Sequence, residues 1–108
     1  MMNIENLLKA YETDVNDSKG LGRFEVLNLL TNRDVIEEHK SRLTTLQATR
    51  LLFADEKLAA NSEQVIAECG GEVEFMNLRQ HNPALSAWWW FLEQIQLKQF
   101  SQQEKILA

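Results

Sequence analysis

Asp55 stands inside an apolar stripe formed by Ala48, Leu51, Leu52, Leu58 and Ala59. A carboxylate in such surroundings needs a cation or several hydrogen-bond donors, and without them its pKa climbs. Two readings follow. In one, Asp55 points outward or pairs with an arginine across a helical bundle. In the other, it is the acid of a ligand-binding or catalytic site, with His39 or His81 as its partner. His39 projects between Val35, Ile36 and Leu43 on an apolar face, while its neighbours Glu37 and Glu38 point away from it on a helix. Metal centres in helical bundles draw on Glu-x-x-His pairs or several inward carboxylates. The positions three before the two histidines hold Ile36 and Leu78, so neither a metal nor another cofactor is expected.

No nucleophile constellation stands out. Cys69 falls at the end of a helical pattern, where the negative end of the helix dipole disfavours a thiolate. The Gly20-Leu21-Gly22 and Gly70-Gly71 stretches lack the preceding strand and following lysine of a phosphate-binding loop. The expectation is therefore a protein without catalytic residues.

The run Trp88-Trp89-Trp90 is the unusual feature. Successive helical residues are about 100° apart, so three adjacent tryptophans cannot share a face. A helical projection puts Leu85, Trp88, Trp89, Leu92 and Ile95 on a core stripe, with Phe91 and Phe100 at its edges. Trp90 and Leu97 fall on the opposite side, beside Ser86, Glu93, Gln94 and Ser101. Either that side is buried by wrapping of the chain, or Trp90 and Leu97 form an exposed patch for self-association or a partner. A further alternative is a pocket for a small molecule, lined by Trp88 and Trp89 with Asp55 or His39 as its polar group.

These residues must be positioned by helices. Leu, Ala, Glu, Gln and Lys dominate the 108 residues, and one proline and four glycines interrupt them. A chain of that length folds as one domain and buries roughly 65% of its unfolded surface. With 44% hydrophobic and 25% charged residues it has enough apolar content for a packed core. The spacing predicts an all-α domain over 1–108, a small bundle of about four to five helices. The first spans 4–15 behind an Asn3 cap, with Ile4, Leu7, Leu8, Tyr11 and Val15 on one stripe. A linker over 16–22 follows, then a short helix over 23–31. Thr31 and Asp34 form a variant capping box that starts a helix over 32–43. Thr44 with Gln47 is a fuller box, so a new helix begins at Thr45; the alternative is one unbroken helix over 32–60. That element runs on to Gly70-Gly71, with an interruption at Asn61-Ser62. Residues 72–78 read as a loop or irregular turn. Asn82 caps a last helix that starts with Pro83 and reaches at least Phe100, and residues 101–108 fray.

Composition narrows the partners. Sixteen acids against eleven bases give a net charge of −5, and the bases are scattered, which argues against nucleic acid. A helix-turn-helix around Thr44 would present Gln47, Arg50, Asp55 and Glu56, a poor face for DNA, so a DNA-binding regulator ranks last. The apolar run from Ala87 to Leu92 is too short to span a bilayer. The tryptophans also lack the basic polar face of a membrane-surface helix. No signal peptide is visible, and a single cysteine suits a reducing compartment, so the cytoplasm is expected. The sequence thus points to a non-enzymatic interaction or regulatory module that binds another protein or itself, as a homodimer, through its C-terminal tryptophan-rich helix.

Overall fold

The computed structural model describes residues 3–79 and 82–95. The described residues hold helices and turns and no strand. Helix α1, Ile4–Asn16, begins where Asn3 Oδ1 accepts hydrogen bonds from the Glu5 and Asn6 backbone amides at 3.0 and 3.3 Å. Its buried residues Leu8, Tyr11 and Val15 repeat at helical spacing. Residues 17–21 then turn the chain into α2, Gly22–Glu38.

Helix α2 is continuous where two helices, over 23–31 and 32–43, are predicted. The capping reading fails because neither partner is free for it. The Thr31 hydroxyl donates to the Leu27 carbonyl at 2.8 Å, bonding back along its own helix. The Asp34 carboxylate is engaged by side chains from the far end of the chain. As one element, α2 lines up Val26, Leu29, Leu30, Arg33 and Ile36 as a buried stripe.

Past His39, a 3-10 turn at Lys40–Arg42 leads to extended backbone at Leu43 and Thr44. The break at Thr44 is present, and so is its full capping box. Thr44 Oγ1 accepts from the Gln47 amide at 3.1 Å, and Gln47 Oε1 accepts from the Thr44 amide at 3.0 Å. Helix α3, Thr45–Ala60, buries Leu51, Ala54 and Leu58. Asn61 interrupts the chain before α4, Ser62–Glu68. Gly70 and Gly71 then stop it at φ of 102° and 118°, a region that only glycine adopts without strain.

Residues Glu72–Asn77 form a short helix, α5, and not the predicted irregular turn. Phe75 and Leu78, three residues apart, both turn into the core, and Glu72 and Glu74 sit in the first turn, where the helix dipole favours acids.

The larger correction lies beyond it. Pro83 does not start a helix. Residues 82–87 are non-helical, Asn82 has a φ of 50°, Trp88–Trp90 form a 3-10 turn, and helical conformation resumes over 92–95. A regular helix from Pro83 would aim adjacent indoles about 100° apart. The tighter turn delivers two of them to a single acceptor. The expected course over 96–100, the frayed end over 101–108, His81 and Leu97 lie outside the described residues.

Helix α1 packs against both α2 and α3, α4 touches α2, α3 and α5, and the tryptophan turn packs on α2. The buried residues of all these elements make one contiguous hydrophobic cluster. Across the α1–α3 seam, Arg50 of α3 donates to Glu5 at 2.8 Å and to both oxygens of Glu12, at 2.5 and 3.2 Å. Gln47 adds a bond to Glu5 at 3.1 Å. Hydrogen bonds from Arg50 and Gln47 hold the Glu5 carboxyl down at about 2, against the usual 4.5. A carboxyl lowered in the folded state lends stability above its unfolded pKa and loses it as pH falls through the folded one. In urea unfolding, the advantage of the wild type over Glu5→Gln is expected to be complete above about pH 4.5 and to vanish near pH 2. A difference that persists at pH 2 would contradict the assignment.

Candidate functional site

Arg33 is the most buried charge among the described residues, at 2% exposure. Its position on the inner stripe of α2 points it at α3, where Asp55 occupies the matching gap. Arg33 Nε donates to Asp55 Oδ1 and Nη2 to Oδ2, both at 2.9 Å, in a bidentate pair. The Tyr11 hydroxyl of α1 donates to the same Oδ1 at 2.7 Å. Arg33 Nη1 reaches Glu37 one turn on, at 3.4 Å. Burial opposes the Arg33 charge, but Asp55, with Tyr11 and Glu37, outweighs it and raises its pKa. Burial, then the field of Asp55 and its hydrogen bond, push the Tyr11 phenol far up.

The tryptophan turn closes over this pair. The Arg33 guanidinium carbon lies 4.3 Å from the centroid of the Trp89 ring, a cation–π contact. The indole N–H groups of Trp89 and Trp90 both donate to Asp34 Oδ1, at 2.7 and 2.8 Å. Trp88 packs edge-on against Trp89, with centroids 5.8 Å apart and planes at 86°. Next along the chain, Arg79 Nη1 pairs with Glu93 Oε1 at 2.8 Å and lies over the Phe91 ring at 4.7 Å. Burial pushes the Glu93 carboxyl up against the pull of Arg79.

The predicted site residues are therefore redistributed. Asp55 is committed to Arg33 and Tyr11 and makes no hydrogen bond with His39. His39 ends α2, half-buried, with its backbone amide bonded to the Ile36 carbonyl at 3.1 Å. Trp90 is 1% exposed, so it does not belong to a surface patch; the 3-10 turn that brings it to Asp34 turns it inward. An open cleft of about 540 Å³ does lie beside Trp89. Asp34, Glu37 and Glu38 of α2 form one wall, and Pro83, Ala87 and Trp89 lie opposite. Its acids are thus three α2 carboxylates, where Asp55 and His39 are predicted, and Trp88 does not line it.

Chemically, the buried network is closed. Tyr11, Arg33 and Asp55 bond one another, Arg33 reaches out only to Glu37, and none of the three borders the cleft, whereas a general acid or base must reach its substrate. Burial raises the Cys69 thiol to about 11, which suits a packed residue better than a nucleophile. No group of three or more histidine, cysteine or acidic side chains among the described residues is placed to hold a metal. Among those residues, no helix is long and apolar enough to cross a membrane.

What sequence reasoning missed is a surface. The outward side of α3 carries Leu46, Leu52 and Phe53 at 69, 57 and 64% exposure. Leu52 reads as part of the inner stripe with Asp55, yet it sits a full residue step from Leu51, and Leu51 takes the core position. Phe24 and Leu27 of α2 are also exposed, beside a groove of about 500 Å³ that ends at Asn77 and Leu78. The residues between Leu46 and Phe53 on that outward side include Thr49 and no charge, a signal that was present in the sequence.

No family model, no curated protein and no solved structure matches this chain.

The double acceptor at Asp34 is testable. Asp34→Ala removes the acceptor that two buried indole donors share, at about 1–3 kcal/mol for each hydrogen bond lost. Tryptophan fluorescence during urea unfolding should show a loss on the order of 3 kcal/mol for Asp34→Ala and a distinctly smaller one for Asp34→Asn, which keeps the acceptor. Equal losses would remove the clasp from the account.

Proposed function

We propose that this protein is a non-enzymatic interaction module that docks through the outward face of α3. The observation that carries the reading is the exposure of Leu46, Leu52 and Phe53 on a helix whose opposite face is already packed. Large apolar side chains grouped on one exposed face mark contact surfaces far more often than isolated ones do. The commitment of Tyr11, Arg33 and Asp55 to structural bonds supports the same reading. On this reading the docking face moves from the tryptophan segment to α3, because Trp90 is interior; Leu97, the other residue of the expected patch, lies outside the described residues. A lone, buried Cys69 fits a cytoplasmic setting.

Co-purification from the cells that make the protein tests this. The wild-type chain is expected to retain a stoichiometric protein partner, whether another copy or a different chain. Leu46→Ser/Phe53→Ser should lose it, and Phe24→Ser, on the other apolar surface, should keep it. Identical partners for the wild type and the α3 variant would end the reading.

A second reading rests on the cleft beside Trp89. Glu38, with Glu37 shared with Arg33 and Lys40 and Asp34 held by the indoles, makes an acidic wall beside an indole that suits a small cationic ligand such as an amine. Titration with a diamine, read by tryptophan fluorescence, should saturate in the wild type and fail in Glu37→Gln/Glu38→Gln. A signal that never saturates would dismiss it.

A further inference from the structure

We infer that the occupant of the α3 face is a second copy of this chain, docked antiparallel across a two-fold axis at Thr49; this rests on the interaction reading above and names its partner. The outward side of α3 is self-complementary about that residue. Three positions either side of Thr49 stand Leu46 and Leu52, both exposed, with Phe53 beside them. Beyond that stripe, Arg42 on the turn before α3 and Glu56 in the last turns of α3 are both exposed and opposite in charge. A two-fold axis brings each residue of such a set to its mirror position on the other copy. Leu46 meets Leu52, and Arg42 on the turn that leads into α3 meets Glu56 of the second copy, twice over.

Charge supports this occupant. Among the described residues Arg42 has no ion pair, although Arg23, Arg33, Arg50 and Arg79 each have one, and the Glu56 carboxylate also has none. Lys57, the other charge on that part of α3, is drawn aside to α1, where it donates to Asn16 at 2.6 Å. A chain with net charge −5 repels its own copies over most of its surface. The α3 stripe is uncharged at its centre and balanced at its ends, so two copies can approach there without like-charge contact. The antiparallel arrangement also sets the two helix dipoles head to tail.

Sedimentation equilibrium of the purified full chain decides the matter. The expected result is a monomer–dimer equilibrium in the micromolar range that Phe53→Glu shifts fully to monomer. Leu52→Ser gives a second reading should Phe53→Glu lower the melting temperature. Arg42→Glu and Glu56→Arg should each raise the dimer Kd about tenfold, since each places two like-charge pairs in the interface. The combined Arg42→Glu/Glu56→Arg chain should return close to the wild-type Kd. A wild type that stays monomeric up to millimolar concentration, a dimer indifferent to Phe53→Glu and Leu52→Ser, or a double charge swap no tighter than the single ones would overturn the inference. A monomeric wild type that still retains a different protein on co-purification defeats the second copy alone and leaves the interaction reading in place.

Discussion

A guanidinium buried in a bundle of this size must be answered, and the answer organises the molecule. Arg33 meets a bidentate carboxylate from α3, the hydroxyl of Tyr11 steadies that carboxylate from α1, and the Trp89 ring covers the cation. Three helices and the tryptophan turn are thereby held in one relative register. Apolar contacts alone are tolerant of small slides between helices; a forked donor on a two-oxygen acceptor is not. Such a pair adds modest net stability, because taking both charges out of water offsets much of their attraction, while breaking it strands a charge at a cost of about 3–5 kcal/mol. Its contribution is to make one arrangement of α1, α2 and α3 far better than its neighbours.

How much of this was legible depends on whether the governing interaction was local. Asn3, the Thr44–Gln47 box, the Asn61 interruption and the Gly70-Gly71 stop are settled within a few residues, and each helix boundary falls where those residues put it. The misplaced boundaries are those decided at a distance. Thr31 and Asp34 have the form of a cap, but Asp34 is claimed by indoles more than fifty residues later, and Thr31 bonds within its helix. Asn82-Pro83 has the form of a helix start, but the same distant carboxylate draws the tryptophans into a tighter turn.

The site followed the same rule. An arginine across the bundle was one of the two readings open for Asp55, but Arg33 could be identified only once α2 was continuous and carried it on the same stripe as Val26, Leu29, Leu30 and Ile36. Trp90 could not be placed from a helical projection because its segment is not an α-helix. The exposed face of α3 was the reverse case. Leu51 and Leu52 are adjacent apolar residues on a helix that is apolar on two sides, so periodicity alone could not assign which of them faces inward. Packing against α1 settles it in favour of Leu51.

The clasp at Asp34 also gives the fold a direction in time. Tyr11, Arg33 and Asp55 all precede α4, and their contacts span 44 and 22 positions. The bonds from Trp89 and Trp90 to Asp34 span 55 and 56 positions, and the entropy of closing a loop grows with its length. A chain emerging from the ribosome can therefore assemble α1, α2 and α3 around the ion pair while the lid over it has yet to be synthesised. Until the tryptophans arrive, one flank of Arg33 faces water and Asp34 is solvated, so the nascent bundle is a looser and wetter body than the finished one.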